Sequence, residues 1–501
     1  MVLFQKISMT LFSICLIGFF SHTLAVFAGQ KSDKPTVSIT KTSLGKLPKE
    51  SKLFGLTTNK PDAEHVAYAT RVNQKMAVHL DTKKGPDFDG IAKGTPFFSP
   101  KTNRLAYIAV QGSKQCVVID GKKGPDFDGV SDLIFSPDGK QFAYKAKMGN
   151  ELFVVLNHRA GEPFDQIKSR PLFSPDSKHL AYIAVKGKEW FVIKNSRKIG
   201  TFLGIKELIF SPDSNHLAGA VLKDGAWFLF KDGFTGKPYE NVLTITWSPD
   251  STRLTYAAQK KFKIFIVEDG KEHEKYPTVG LPVFSPDSKH MAYPAKKGNK
   301  WVLVMDRKEG SAYDLLGTYI FSPDSNRFAH IGIKKNKFTV ICDGQEQGFY
   351  PFVGTPVFSP DSKHVAYTVK TEKNNMVILD GKPGKKYMDV KSPCFSNDSN
   401  HMFYEVLDKK NIFLVTDGIE GRGYSRIFNP LFSPDGMNIA YLAEKGKNVI
   451  LVINDHEINL KIKSIIDGIP LVFDGSNKLH LISVLDNPDP EFFRITVTLS
   501  N

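Results

Sequence analysis

LFSPDSKHLAYIAVKGKEWFVI, running from Leu172 to Ile193, is the stretch on which the fold turns, because the chain says it again and again. VFSPDSKHMAYPAKKGNKWVLV begins at Val283 and VFSPDSKHVAYTVKTEKNNMVI at Val357. The serine of this phrase falls at 99, 136, 174, 211, 248, 285, 322, 359, 396 and 433, so nearly every interval is 37 residues. Weaker copies flank the run at Lys60-Pro61-Asp62 and Phe473-Asp474-Gly475, which brings the repeat to twelve units. A period this regular sets the architecture before any single residue does.

One unit shows what is repeated. Leu281–Phe284 reads as a short apolar strand, and Ser285-Pro286-Asp287-Ser288 as a turn in which proline presets φ and the polar side chains cap backbone donors. His290–Ala295 alternates as a second strand, Lys296-Lys297-Gly298-Asn299 turns, and Trp301–Met305 is a third strand. After a turn through Asp306–Gly310, Tyr313–Leu315 is expected as a short fourth strand. Four antiparallel strands in each unit, with no helical period and a proline in nearly every copy, predict an all-β propeller of about twelve four-stranded blades.

The phrase Phe-Ser-Pro-Asp-Ser/Gly-Lys/Asn-x-hydrophobic-Ala-Tyr resembles the WD-like repeat of TolB-type β-propellers, and the resemblance covers residues 54 to 501. It implies that the Phe-Ser-Pro strand is innermost in each blade. It is a likeness to the repeat alone, since TolB proteins carry an α/β domain ahead of the propeller and only about 25 residues precede the first repeat here. Propeller-bearing serine peptidases are similar in their blades but need a hydrolase domain and a Gly-x-Ser-x-Gly elbow, and neither has a place in this sequence.

Residues 1–28 read as a secretory signal peptide, with Lys6, an apolar run from about Met9 to Phe20, and Ala25-Val26-Phe27-Ala28 ahead of a cut before Gly29. The alternative is an uncleaved membrane anchor. Residues 29–53 form an N-terminal segment whose Thr36–Thr40 is a strand with no unit of its own, while the last unit stops one strand short. The expectation is that Thr36–Thr40 completes the last blade and hides its edge. Twelve blades divide most naturally into two six-bladed rings, 54–280 and 281–501, with seven plus five, or one large ring, as the alternatives.

The unit-by-unit comparison also weighs each tempting residue. The recurrent acids (Asp138, Asp176, Asp213, Asp250, Asp287, Asp324, Asp361, Asp398 and Asp435) are expected to cap turns, because each turn supplies a single carboxylate and a calcium loop needs several. His65, His179, His216, His290, His364 and His401 share one position, but other units place Arg104, Gln141, Arg253, Arg327, Asn438 or Lys478 there, which describes a polar rim and not a metal site. Trp190, Trp227 and Trp301 open third strands and are expected to pack between blades. Cys116, Cys342 and Cys394 are odd in number and far apart, so buried free thiols are expected. No catalytic residue, metal or cofactor is assigned.

The lysines are what packing does not demand. The formal charge is +15, which draws a chain to acidic surfaces. The turns between second and third strands hold Lys186, Lys188, Lys260, Lys261, Lys296, Lys297, Lys334, Lys335, Lys409 and Lys410, the candidate binding residues, although Lys178, Lys289 and Lys363 stand on the opposite rim. The expectation is an exported, non-catalytic propeller, periplasmic or extracellular, that binds a protein or an anionic envelope polymer and no nucleic acid, with no membrane insertion after cleavage. The alternative is a carbohydrate-active enzyme or lectin-like binder with a site in a propeller funnel.

Overall fold

The computed structural model describes residues 36–59, 62–462, 465–466, 469–485 and 490–500. The expected signal peptide lies outside them. The described chain forms twelve antiparallel sheets, one for each repeat. Blade 5 is typical, with strands Gly204–Phe210, Leu217–Lys223, Ala226–Lys231 and Phe234–Tyr239 side by side in chain order.

The first strand of a blade varies for a local reason. In blades 2, 4, 9 and 10 it breaks into two short pieces, such as Gln166–Ile167 and Leu172–Phe173. Each gap contains a proline (Pro96, Pro171, Pro356 or Pro393), which has no N–H for the ladder. Blades 3, 5, 6 and 8 lack that proline and keep one continuous strand with a bulge, as between Ile205 and Leu208. Blade 11 keeps Arg426–Phe432 continuous despite Pro430, with its bulge between Phe428 and Leu431.

The fourth strand is longer than the sequence pattern suggests. In blade 7 it runs Lys308–Tyr313, and Leu315 already opens the first strand of blade 8. Asp306 and Arg307 both take positive φ, 47° and 68°. They therefore close a two-residue hairpin turn, and pairing resumes at once at Lys308 opposite Met305.

Closure follows the expected route. Thr36–Lys46 pairs antiparallel with Glu491–Ser500, Thr36 opposite Ser500 and Thr40 opposite Thr496, and completes the sheet of Val472–Gly475, Lys478–Leu485 and Glu491–Ser500. The N-terminal strand thus covers the edge of blade 12.

The ring count departs from the favoured expectation. Apolar clusters fill the seams between successive blades all the way round. Ile266 and Ala257 of blade 6 pack with Met291, Tyr293 and Val302 of blade 7, across the expected break at 280. Leu44, Ile469, Ile482 and Phe492 of blade 12 pack with Val66 and Tyr68 of blade 1. Neither six plus six nor seven plus five survives this arrangement: one ring of twelve blades closes on itself. A ring of twelve turns half as much per blade as a ring of six, so neighbouring sheets must lie almost face to face. Fully buried alanines in the seams, among them Ala67, Ala106, Ala181, Ala292 and Ala366, permit that approach.

Candidate functional site

The repeat places two kinds of turn on opposite rims. The Ser-Pro-Asp turn and the Asp-Gly turn after the third strand share one rim. The turn between second and third strands and the connection to the next blade share the other.

On the Ser-Pro-Asp rim the recurrent aspartates have structural tasks. The Ser285 hydroxyl donates to Asp287 Oδ1 at 2.6 Å and accepts the His290 backbone N–H at 2.9 Å. The Asp287 backbone N–H donates to Ser325 Oγ of blade 8 at 2.9 Å. The same link joins Asp176 to Ser214, Asp213 to Ser251, Asp250 to Ser288, Asp324 to Ser362 and Asp361 to Ser399. The expected turn-capping role of these acids is therefore present, and the second serine of the motif adds a blade-to-blade bond. The serine hydroxyls hold Asp213, Asp250 and Asp287 down to about 2.

The histidines of this rim have separate partners: His179 Nδ1 lies 2.8 Å from the Asn195 amide and the other five meet acids. His65, His216, His290 and His364 each put Nδ1 2.6 Å from an Asp sixteen residues on, and His401 lies 2.7 Å from Asp417. The same aspartate accepts the next backbone N–H, as Asp306 Oδ1 does from Met291 at 3.0 Å. Arg104 and Arg327 reach Asp120 and Asp343 in the same way. Among the described residues no group of three or more His, Cys, Asp or Glu side chains is disposed to hold a metal ion. Lysines here also meet acids: Lys363 lies 3.0 Å from Asp361, Lys289 3.4 Å from Asp287 and Lys178 3.8 Å from Asp176.

The lysine rim is balanced differently. In several seams an acid after the fourth strand caps the next turn: Asp89 accepts from Gly112 N–H, Asp128 from Gly149, Asp165 from Gly187, Glu240 from Lys261 and Asp314 from Lys335. Elsewhere that position holds Leu203, Pro277, Pro351 or Met388, and no acid. Of the ten candidate lysines, Lys297 reaches Glu309 and Lys334 reaches Glu346, both at 2.6 Å. The side-chain ammonium groups of Lys186, Lys188, Lys260, Lys261, Lys296, Lys335, Lys409 and Lys410 have no carboxylate within 4.0 Å among the described residues. All ten stand at the same end of their blades, at or beside the turn that follows the second strand.

Other expectations resolve locally. Trp190 and Trp227 pack in the seams after blades 4 and 5, each with a lysine over its ring. All three described cysteines are free. Cys116 and Cys342 are buried as expected, but Cys394, on the short strand Cys394–Phe395, is exposed.

One polar network was not visible in the repeat pattern. In blade 6 His273 takes a place held by glycine in most blades, such as Gly310, Gly384 and Gly421. Its Nε2 lies 3.0 Å from Glu268, whose carboxylate also holds Arg253 and Arg307, and its Nδ1 lies 3.4 Å from the Tyr293 hydroxyl of blade 7. Burial pushes the His273 pKa down, against the pull of Glu268. Beside it opens a cleft of about 340 Å³ lined by Glu272, Glu274, Tyr276, Tyr293 and Arg307. The only sequence signal was that glycine gives way to histidine once.

No known protein family matches the chain, and no curated protein does. Among solved structures it is similar to TolB from Acinetobacter baumannii at 15% identity, with 51% of this chain and 77% of that one covered and a TM-score of 0.24. It is also similar to the β-propeller domain of the Trilobed protease from Pyrococcus furiosus at 19% identity, with 51% and 96% covered and a TM-score of 0.25. Hydrazine synthase from Kuenenia stuttgartiensis aligns at 16% identity over 50% and 99%, with a TM-score of 0.24. The twelve sheets themselves define the chain as a β-propeller.

Proposed function

We propose that the chain is an exported, non-catalytic binding scaffold of the bacterial envelope, periplasmic or at the cell surface, that holds an acidic protein or polymer against its lysine rim. The observation that carries this reading is the unequal pairing of charge on the two rims. On the Ser-Pro-Asp rim Lys178, Lys289 and Lys363 each meet the aspartate of their own turn, which also bonds to the next blade. On the lysine rim, turns such as Lys260-Lys261 and Lys409-Lys410 project without that compensation. A rigid ring that presents lysine turns without acid partners along one face suits capture of an extended acidic surface.

Crosslinking the native protein in its own envelope, from photoreactive groups at positions 261 and 410, tests this. The expected product joins the chain to an acidic macromolecule. Products formed equally from positions 178 and 363 on the opposite rim would overturn the assignment of the face.

The cleft between blades 6 and 7 supports a second reading, a carbohydrate-active or lectin-like site, because Glu272, Glu274, Tyr276 and Tyr293 converge there beside His273, which the repeat does not dictate. Protection of Tyr276 and Tyr293 resonances by neutral oligosaccharides would favour it over the first.

A further inference from the structure

The hairpin of blade 6 joins Leu254–Lys260 to Lys263–Glu268 through Lys261 and Phe262, whose φ values are +49° and +60°. A two-residue turn with both residues left-handed selects Asn and Gly. Lys335-Asn336 of blade 8 and Asp224-Gly225 of blade 5 follow that preference at the equivalent place. Phe262 is the only phenylalanine among the described residues with positive φ. Its side chain is 90% exposed, more than any other large apolar residue described. Neither local conformation nor packing explains a phenylalanine there.

Its surroundings are cationic. Lys260 and Lys263 face each other across the hairpin, and Lys261 adjoins the ring in sequence. The carboxylate that reaches this turn is Glu240, and it accepts the Lys261 backbone N–H at 2.9 Å. Leu203 and Met388 on the same rim are 60% and 57% exposed.

We propose that the Phe262 hairpin is a contact point for an anionic lipid surface, into whose headgroup boundary the ring dips while the lysines meet the headgroups. This rests on the reading of the lysine rim as the binding face. A protein hot spot is a side chain seated in a matching pocket within a water-excluding surround. A lone ring on a convex, cationic tip instead suits a fluid interface that closes around any shape. Stacking on a sugar would ask for a ring supported from behind, and Phe262 stands free. The contact is peripheral, and no helix among the described residues is long and apolar enough to cross a membrane.

The test is co-sedimentation of the full chain with phosphatidylcholine vesicles, with and without phosphatidylglycerol. Apolar contributions are common to both kinds of vesicle, so the difference between them reports the anionic headgroups. Phe262→Asn suits the turn and should leave the melting temperature no lower, yet weaken the phosphatidylglycerol-dependent binding about tenfold. Replacing Lys260, Lys261 and Lys263 by glutamine should weaken it about fivefold per lysine. Phe262→Trp should give an emission blue shift on these vesicles that the wild type lacks. Unchanged binding by Phe262→Asn, or an unshifted Phe262→Trp on vesicles that bind it, overturns the proposal. If phosphatidylglycerol adds no binding while the lysine variants lose affinity for poly-glutamate, the lipid is wrong and the basic face stands. If the lysine variants keep their affinity for every anionic probe, both fall.

Discussion

The backbone N–H of Asp250 in blade 6 donates to the hydroxyl of Ser288 in blade 7 at 3.0 Å, and Ser288 itself sits at φ +65°. The motif that makes one blade's turn therefore also fastens it to its neighbour. The bond spans the point where two separate rings would have parted.

Ser288→Ala isolates that bond, since alanine keeps the Cβ that serine already places at this backbone angle and removes only the hydroxyl. The loss should be about 1–2 kcal/mol, read as a lower urea midpoint. Ser288→Gly should cost less, because glycine also relieves the strain of a Cβ at positive φ. Equal midpoints for alanine and wild type would show that the bond contributes nothing.

Asp250 and Asp287 make the ring acid-sensitive. The serine hydroxyls depress both to about 2, against about 3.9 in an unfolded chain. The unfolded state thus binds more protons between these values, so the stabilisation is complete above about pH 4 and is lost as pH falls toward 2. Melting temperatures measured from pH 5 to pH 2 should fall in this window. A flat profile there would contradict the assigned hydrogen bonds.

His330 offers a second pH effect. It occupies the second-strand position that holds Tyr293, Tyr367 and Tyr404 in neighbouring blades, its Nδ1 has no partner, and burial pushes it down to about 4. The unfolded histidine titrates near 6.5, so this site favours folding fully above that pH and progressively less as pH falls toward 4. His330→Tyr should stabilise the protein at pH 5 by on the order of 1–3 kcal/mol, with less gain at pH 8. A destabilising effect at both values would mean that the site cannot take the ring.

Removing Thr36–Lys46 should uncover the Glu491–Ser500 edge and strip Leu44 from the blade 12–blade 1 seam. The expected result is a lower melting temperature with self-association in light scattering. A monomer of unchanged stability would show that the ring closes without this strand.

Much of this was written in the sequence. The 37-residue period and the alternation around Ala-Tyr showed the blades, and the missing strand of the last unit pointed to Thr36–Thr40. Ring size was not legible, because it depends on the angle at which sheets meet. Buried alanines such as Ala181 and Ala292 influence that angle only through their neighbours across a seam. The Asp capping role was readable turn by turn, but not the bond to the next blade, which links residues 38 positions apart. The lysines were visible on both rims. Their difference lies in which of them face carboxylates, as Lys363 faces Asp361 and Lys410 faces none within 4.0 Å among the described residues.

That difference is the centre of the account, and affinity for poly-glutamate measures it. Full-length protein with Lys260, Lys261, Lys335, Lys409 and Lys410 changed to glutamine should bind at least about tenfold more weakly than wild type at low salt. The same measurement with Lys178, Lys289 and Lys363 changed should stay within about twofold, because those lysines already serve local acids. Equal losses from the two rims would contradict the assignment of a binding face.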